Sequence, residues 1–252
     1  MRMACGFLAL AALAGTASAE IAATANLIKT WDFGTSFNDR VVTPGARFSN
    51  VTSFGGSGFK NGGTGAISGI LTTKYVTDDL AMTGAVPSVT RFTWSVANFN
   101  ATATTARMRV RWHLPDGPGG TPGTYITGFS FAASALPVGV STFFADTSTT
   151  PFALPANCWM GICFDNSGAA ATTAAQLDNL GVGLFNPPDV GTSGDVAFLT
   201  SAASVGNVNN PAGGTFNFGG APVANFGWEV VPAPASMALI GLGGLVAGRR
   251  RR

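Results

Sequence analysis

Arg107, Arg109 and Arg111 recur at every second residue and lead into His113, the one histidine of the chain. On a strand such positions share a face, about 6.5–7 Å apart. A row of this kind would grip an anionic polysaccharide. The competing reading is a solvated outer face whose arginines pair with acids on neighbouring strands. A Ser-His-Asp or Cys-His centre would have to use His113. No Gly-x-Ser-x-Gly accompanies it, and its place at the end of an arginine-rich face reads as surface. Paired carboxylates would serve a glycosidase. Glu20 and Glu229 stand at opposite ends of the body, and the adjacent Asp78 and Asp79 should point to opposite faces of a strand, away from any common substrate. Asp116, Asp165 and Asp189 fall in or beside predicted loops, where an extracellular β-domain would hold calcium. Without Asp-x-Asp-x-Asp-Gly spacing they read as Asx turns. Calcium stays open, no cofactor is expected, and no residue is assigned a catalytic role. Cys158 and Cys163 are five apart, on opposite faces of a straight strand. A disulfide between them would need a bend at Gly161, since the Cα atoms must come within about 7 Å.

The elements around these residues read as strands. Arg91–Ala97 alternates with Phe92, Trp94 and Val96 on one face, and Arg107–Leu114 alternates with Met108, Val110, Trp112 and Leu114 inward. Further strands are predicted over Lys29–Phe33, Lys74–Met82, Tyr125–Phe131, Val140–Phe144, Cys158–Phe164, Val196–Leu199 and Asn225–Val230. Pro115–Thr124 and Asn209–Gly214 are Gly/Pro-rich breakers. Thr172–Leu180 is the one helix expected in the body, with Gly181 as its C-cap. Many short strands between such turns predict an all-β, two-sheet sandwich, jelly-roll-like. Trp94 and Trp112 belong to the core; Trp31, Trp159 and Trp228 are open to either role.

Both ends differ from this body. Arg2 precedes the apolar run Ala4–Leu13, and Ala17-Ser18-Ala19 is a small-x-small cleavage site. Residues 1–19 therefore read as a signal peptide, with Glu20 the mature start. The formal charge of +2 is carried by the ends: five of fourteen basic residues are Arg2 and Arg249–Arg252, leaving nine against twelve acids in the body. Nucleic-acid binding has no electrostatic support.

At the other end, Val231-Pro232-Ala233-Pro234 precedes the apolar run Met237–Gly248, and the chain closes on Arg249, Arg250, Arg251 and Arg252. The prolines fix φ and hold their neighbours extended. The apolar run is short of the roughly twenty residues that span a bilayer. Each arginine costs about 2.5–3.5 kcal/mol at a membrane centre, so the four should keep the end cytoplasmic. This order resembles the PEP-CTERM sorting signal of Gram-negative bacteria, in which Pro-Glu-Pro precedes a short transmembrane helix and an arginine-rich end. Ala233 stands where the family has Glu. The resemblance implies an exosortase-type processing enzyme as partner, transient inner-membrane association through a short hydrophobic C-terminal helix, and export to the cell surface or beyond.

The expected division is a signal peptide at 1–19, a β-sandwich at 20–230 and a sorting signal at 231–252. The expected protein is secreted and surface-sorted, with a structural, adhesive or extracellular-matrix role and contact with exopolysaccharide, and is not an enzyme. The alternatives are an extracellular carbohydrate-binding module, which an outward-facing Trp or Tyr row would favour, and a secreted hydrolase.

Overall fold

The computed structural model describes residues 20–38, 41–218 and 225–234. The signal peptide and the tail from residue 235 onward lie outside the described residues. In chain order the strands are β1 (Ile21–Ala23), β2 (Asn26–Trp31), β3 (Phe37–Asn38), β4 (Phe48–Ser49), β5 (Ser53–Lys60), β6 (Gly65–Ile67), β7 (Ile70–Thr72), β8 (Val76–Ala81), β9 (Val86–Asn98) and β10 (Thr104–His113). They continue as β11 (Tyr125–Phe131), β12 (Ser134–Leu136), β13 (Gly139–Asp146), β14 (Phe152–Leu154), β15 (Asn157–Asp165), β16 (Leu180–Phe185), β17 (Ala197–Thr200), β18 (Gly213–Phe216) and β19 (Trp228–Pro232). The one α-helix among the described residues is α1 (Ala174–Asp178).

Two sheets result. The first runs β1-β11-β10-β15-β8-β17-β18, and the second runs β2-β13-β9-β16-β5-β3 with β14, β19 and β4 joined through β9. The described residues are all-β, with two sheets and almost no helix. Among the described strands only the pairing of β1 on β11 is parallel. Consecutive long strands change sheets: β8, β9 and β10 go first, second, first, and β15, β16 and β17 repeat the pattern. Alternation then turns one side of every strand toward the other sheet. Phe92, Trp94 and Val96 from β9 meet Met108, Val110 and Trp112 from β10 in one cluster, all buried. Phe92 lies at its centre, with Trp112 edge-on at 4.7 Å and Phe129 at 5.1 Å between ring centroids. Leu114, the last residue of that period, is only half-buried, since β10 ends at His113.

The helix is shorter than the sequence suggests. Thr173 caps it, its side chain accepting from Gln176 N at 3.3 Å while Gln176 Oε1 accepts from Thr173 N at 2.9 Å, a reciprocal capping box. It stops at Asn179, and Gly181 is not its C-cap. Leu180, Val182 and Leu184 are spaced by two, so this stretch buries a strand face and β16 begins at Leu180. Gly181 is required there by packing: a Cβ would lie 1.8 Å from the Phe59 carbonyl oxygen of β5.

Candidate functional site

The arginine row lies on the outer side of β10, and it is not a free cationic face. Arg107 makes a bidentate pair with Asp165 of β15, at 2.9–3.0 Å. Arg109 reaches Glu20 with Nε and Nη2, both at 3.2 Å. Arg111 is 1% exposed. Its Nη1 donates to the carbonyls of Val110 and Phe129 at 2.9 and 3.0 Å, its Nε to Asn209 Oδ1 at 3.2 Å, and its Nη2 to Glu20. The two arginines beside Glu20 hold its carboxyl below the usual range although burial acts the other way. With every arginine paired to Asp165 or to the shared Glu20, and with its third member sealed off, the row is not the open cationic face a polyanion grip needs.

Arg111 lies flat because its neighbour across the sheet on β11 is Gly128; on its other side, Gly161 of β15 leaves room for Tyr75. A Cβ on Gly128 would come within 2.2 Å of Arg111 Cδ. Glycine inside a strand marks such a close approach, and Gly128 is the sequence signal that Arg111 lies down on the sheet.

His113 is also fully buried, contrary to the surface position expected for it. The segment carrying Val208 and Asn209 covers this end of β10. His113 Nε2 lies 3.0 Å from the Val208 carbonyl, so that nitrogen carries the proton, and Nδ1 lies 3.2 Å from the Tyr75 hydroxyl. Burial, the largest influence, together with the nearby Arg111 charge, lowers its pKa to about 4. A shielded, neutral ring held between a carbonyl and a tyrosine is a structural hydrogen-bonding group and a poor base for any exposed substrate. The linkage has a definite sign. Above pH 6.5 neither state is protonated at this ring and its contribution is intact. As pH falls from 6.5 to about 4 the unfolded chain takes up a proton that the folded one refuses, so stability falls. The loss is about 3 kcal/mol across that window. The fall in urea midpoint from pH 7 to pH 4.5 should be smaller in His113→Gln than in wild type, the raised Asp78 and Asp79 carboxyls acting in the opposite sense on both; an equal fall would remove His113 as a source.

The acids are structural too. Asp78 and Asp79 leave opposite faces of β8, yet they are not independent as the alternation implied. Ser193, on the segment beside β8, donates to both, at 3.0 and 3.2 Å. Asp78 also accepts from Phe226 N at 2.8 Å, and Asp79 from Gly194 N at 3.0 Å. Burial pushes both carboxyls up, Asp78 strongly. The pair clasps two peripheral segments to the strand. Asp116 closes its loop on Thr124, Asp165 holds Arg107, and Asp189 accepts from Thr52. These three serve separate places, and no group of three metal-ligating side chains occurs among the described residues. Cys158 faces the intersheet core and Cys163 the opposite side, beside Tyr75 and Val208. Both are free, and burial pushes their thiols up to about 12 and about 11. All five tryptophans are buried, Trp31, Trp94, Trp112, Trp159 and Trp228 alike, so none contributes an exposed stacking platform.

The C-terminal strand is different in kind. β19 lies between β4 and β9, with Trp228 opposite Trp94, Val230 opposite Phe92 and Val231 opposite Arg91. The Trp228 and Val230 carbonyls accept from Asn50 N and Arg47 N on the β4 side, at 3.0 and 2.9 Å. Two residues on, Pro232 turns its donorless nitrogen to that same side, beyond the last β4 contact. This is an edge position, where a strand tolerates proline. On the other side Ala233 N still donates to Ser88 O at 2.9 Å. The sheet thus runs past residue 230, the expected end of the body, and takes in Val231, Pro232 and the amide of Ala233. Val231 is 9% exposed, Pro232 and Ala233 are half-buried, and Pro234 is exposed.

Residues 230–252 match the family model of the PEP-CTERM protein-sorting motif. The chain carries a PEP-CTERM sorting motif. The match begins at Val230, inside the last strand, and the body before it lies outside the match. The PEP-CTERM motif implies processing by an exosortase, export, and sorting to the cell surface. Comparison with curated proteins and with solved structures gives no match. Of the sorting residues, Val231, Pro232 and Pro234 are described; the run to Gly248 and Arg249–Arg252 lie outside the described residues, as do Ala17 and Ala19. No helix among the described residues is long and apolar enough to cross a membrane.

Proposed function

We propose that this is a secreted structural protein of the cell surface or its matrix: a jelly-roll-like β-sandwich released from a signal peptide after Ala19 and delivered by its C-terminal sorting signal. The observation that carries the reading is the PEP-CTERM motif rooted in the last strand of a folded body. A non-catalytic role is supported by the fate of the reactive groups, since His113, Asp78 and both cysteines are buried and used in packing or hydrogen bonds. Burial of all five tryptophans weighs against a carbohydrate-binding module. The mature chain should co-purify with the surface-matrix fraction and be depleted from the periplasm. A periplasmic, soluble majority would sink the proposal, and so would turnover of a polysaccharide by the purified body.

A further inference from the structure

We infer that the processing enzyme docks on the folded body as well as on the tail, in the groove that the sorting motif itself lines. The inference rests on the sorting reading above. The groove measures about 930 Å³ and is walled by Val231 to Pro234 on one side and by Arg47, Pro87, Ser88 and Arg91 around them.

Three features of the fold make the groove part of the recognition surface. First, the N-terminal half of the motif is already bound. β9 occupies one edge of it through the Val231–Arg91 pair and the Ala233 N bond to Ser88 O. An enzyme cannot wrap this peptide from both sides; the edge left open is the one beyond Val230 on the β4 side, and that edge faces the groove. Secondly, the groove wall is built by the same strand. Glu229, two residues before Val231, accepts from Thr43 N and Oγ1 at 3.1 and 2.8 Å and from Ser49 Oγ at 3.0 Å. The turn leading into Arg47 is therefore positioned by the segment that carries the motif. Thirdly, the floor carries a stacked cation. The Arg91 guanidinium lies 4.1 Å above the Phe144 ring on the outer face of the second sheet. Any partner that reads Pro232 must enter a preformed concavity, and it meets Arg47 and Pro87, both exposed, at the rim.

The consequence is that sorting reads the folded state: a body whose last strand has not paired presents the tail without the groove. The test uses the full chain in cells that carry the processing enzyme. Arg47→Glu with Pro87→Glu places two carboxylates on the rim and leaves Val231–Pro234 untouched. C-terminal processing, read by intact mass, should fall at least ten-fold, with signal-peptide removal and the body's melting temperature unchanged. A control pair on distant exposed positions, Ala175→Glu with Thr215→Glu, should be processed like wild type. If the rim pair is processed like wild type while Pro232→Ala with Pro234→Ala is blocked, the groove is not part of recognition. If the proline pair is processed normally as well, the sorting reading itself fails. Should the double rim variant melt low, Arg47→Ser alone, which removes only an exposed side chain, is read by the same two outcomes.

Discussion

Replacing Arg111 with alanine is expected to destabilise the body by about 3–5 kcal/mol, the range for removing one partner from a buried ionic arrangement. The cost has named parts. The carbonyls of Val110 and Phe129 and the amide oxygen of Asn209 lose a charged donor, and Glu20 loses one of its two arginines. The space above Gly128 is left without filling. For a body of this size the melting temperature should fall by roughly 6–20 °C. Arg111→Lys should recover little, because one ammonium cannot reproduce a planar fork that serves two carbonyls and a carboxylate together. Arg107→Ala, at a partly exposed pair, should cost less. Equal melting of Arg111→Ala and wild type would mean that the buried Arg111 bonds contribute nothing net to the fold.

Pro232→Ala with Pro234→Ala is expected to abolish C-terminal processing while leaving export and folding intact. The separation follows from the strand. Pro232 stands where the β4 ladder has ended, so a restored N–H faces the groove and water and breaks no bond. The change acts chiefly on the freedom of the unfolded chain, at about 0.4–1 kcal/mol per proline. What is lost is the fixed φ that keeps the segment extended as it leaves the sheet. Thermal melts of the purified body and intact mass of the exported chain separate the two effects. A variant that melts normally and is trimmed like wild type would overturn the sorting reading.

Period two made the centre of the sandwich legible. Tyr125–Phe131 appears at its predicted bounds, and Met108, Val110 and Trp112 face Phe92 and Trp94 as alternation requires. The strands that escaped notice are either two or three residues long, as are β1, β3, β4, β6, β7, β12 and β14, or rich in glycine, as are β5, β16 and β18. β5, Ser-Phe-Gly-Gly-Ser-Gly-Phe-Lys, resembles a turn cluster, yet its Gly58 is there for contact: a Cβ would stand 2.8 Å from Val182 O and 2.9 Å from Ala97 Cβ. The outer side of β10 was legible in part: its arginines pair with acids, as the competing reading of the row has it, while the burial of Arg111 and His113 was not legible. Alternation says which side a residue takes, but not what covers that side. Val208 and Asn209 come to His113 and Arg111 from about a hundred residues away, and Glu20 comes to Arg111 from 91 residues away. The sorting signal was legible as composition and order. Its root in the sheet was not, because residue 232 belongs both to a proline motif and to the last turn of a ladder set by β9.

The central claim is that a folded β-sandwich is delivered to the surface by a C-terminal signal that an exosortase removes. The most direct measurement is the intact mass of the surface-associated protein from otherwise identical cells with and without the processing enzyme. With it, the chain should lack residues 1–19 and a C-terminal piece lying wholly within residues 231–252. Without it, the chain should keep residues 231–252 and stay in the membrane fraction. The same C-terminal mass in both strains, or a surface protein that still carries Arg249–Arg252 when the enzyme is present, would contradict the account.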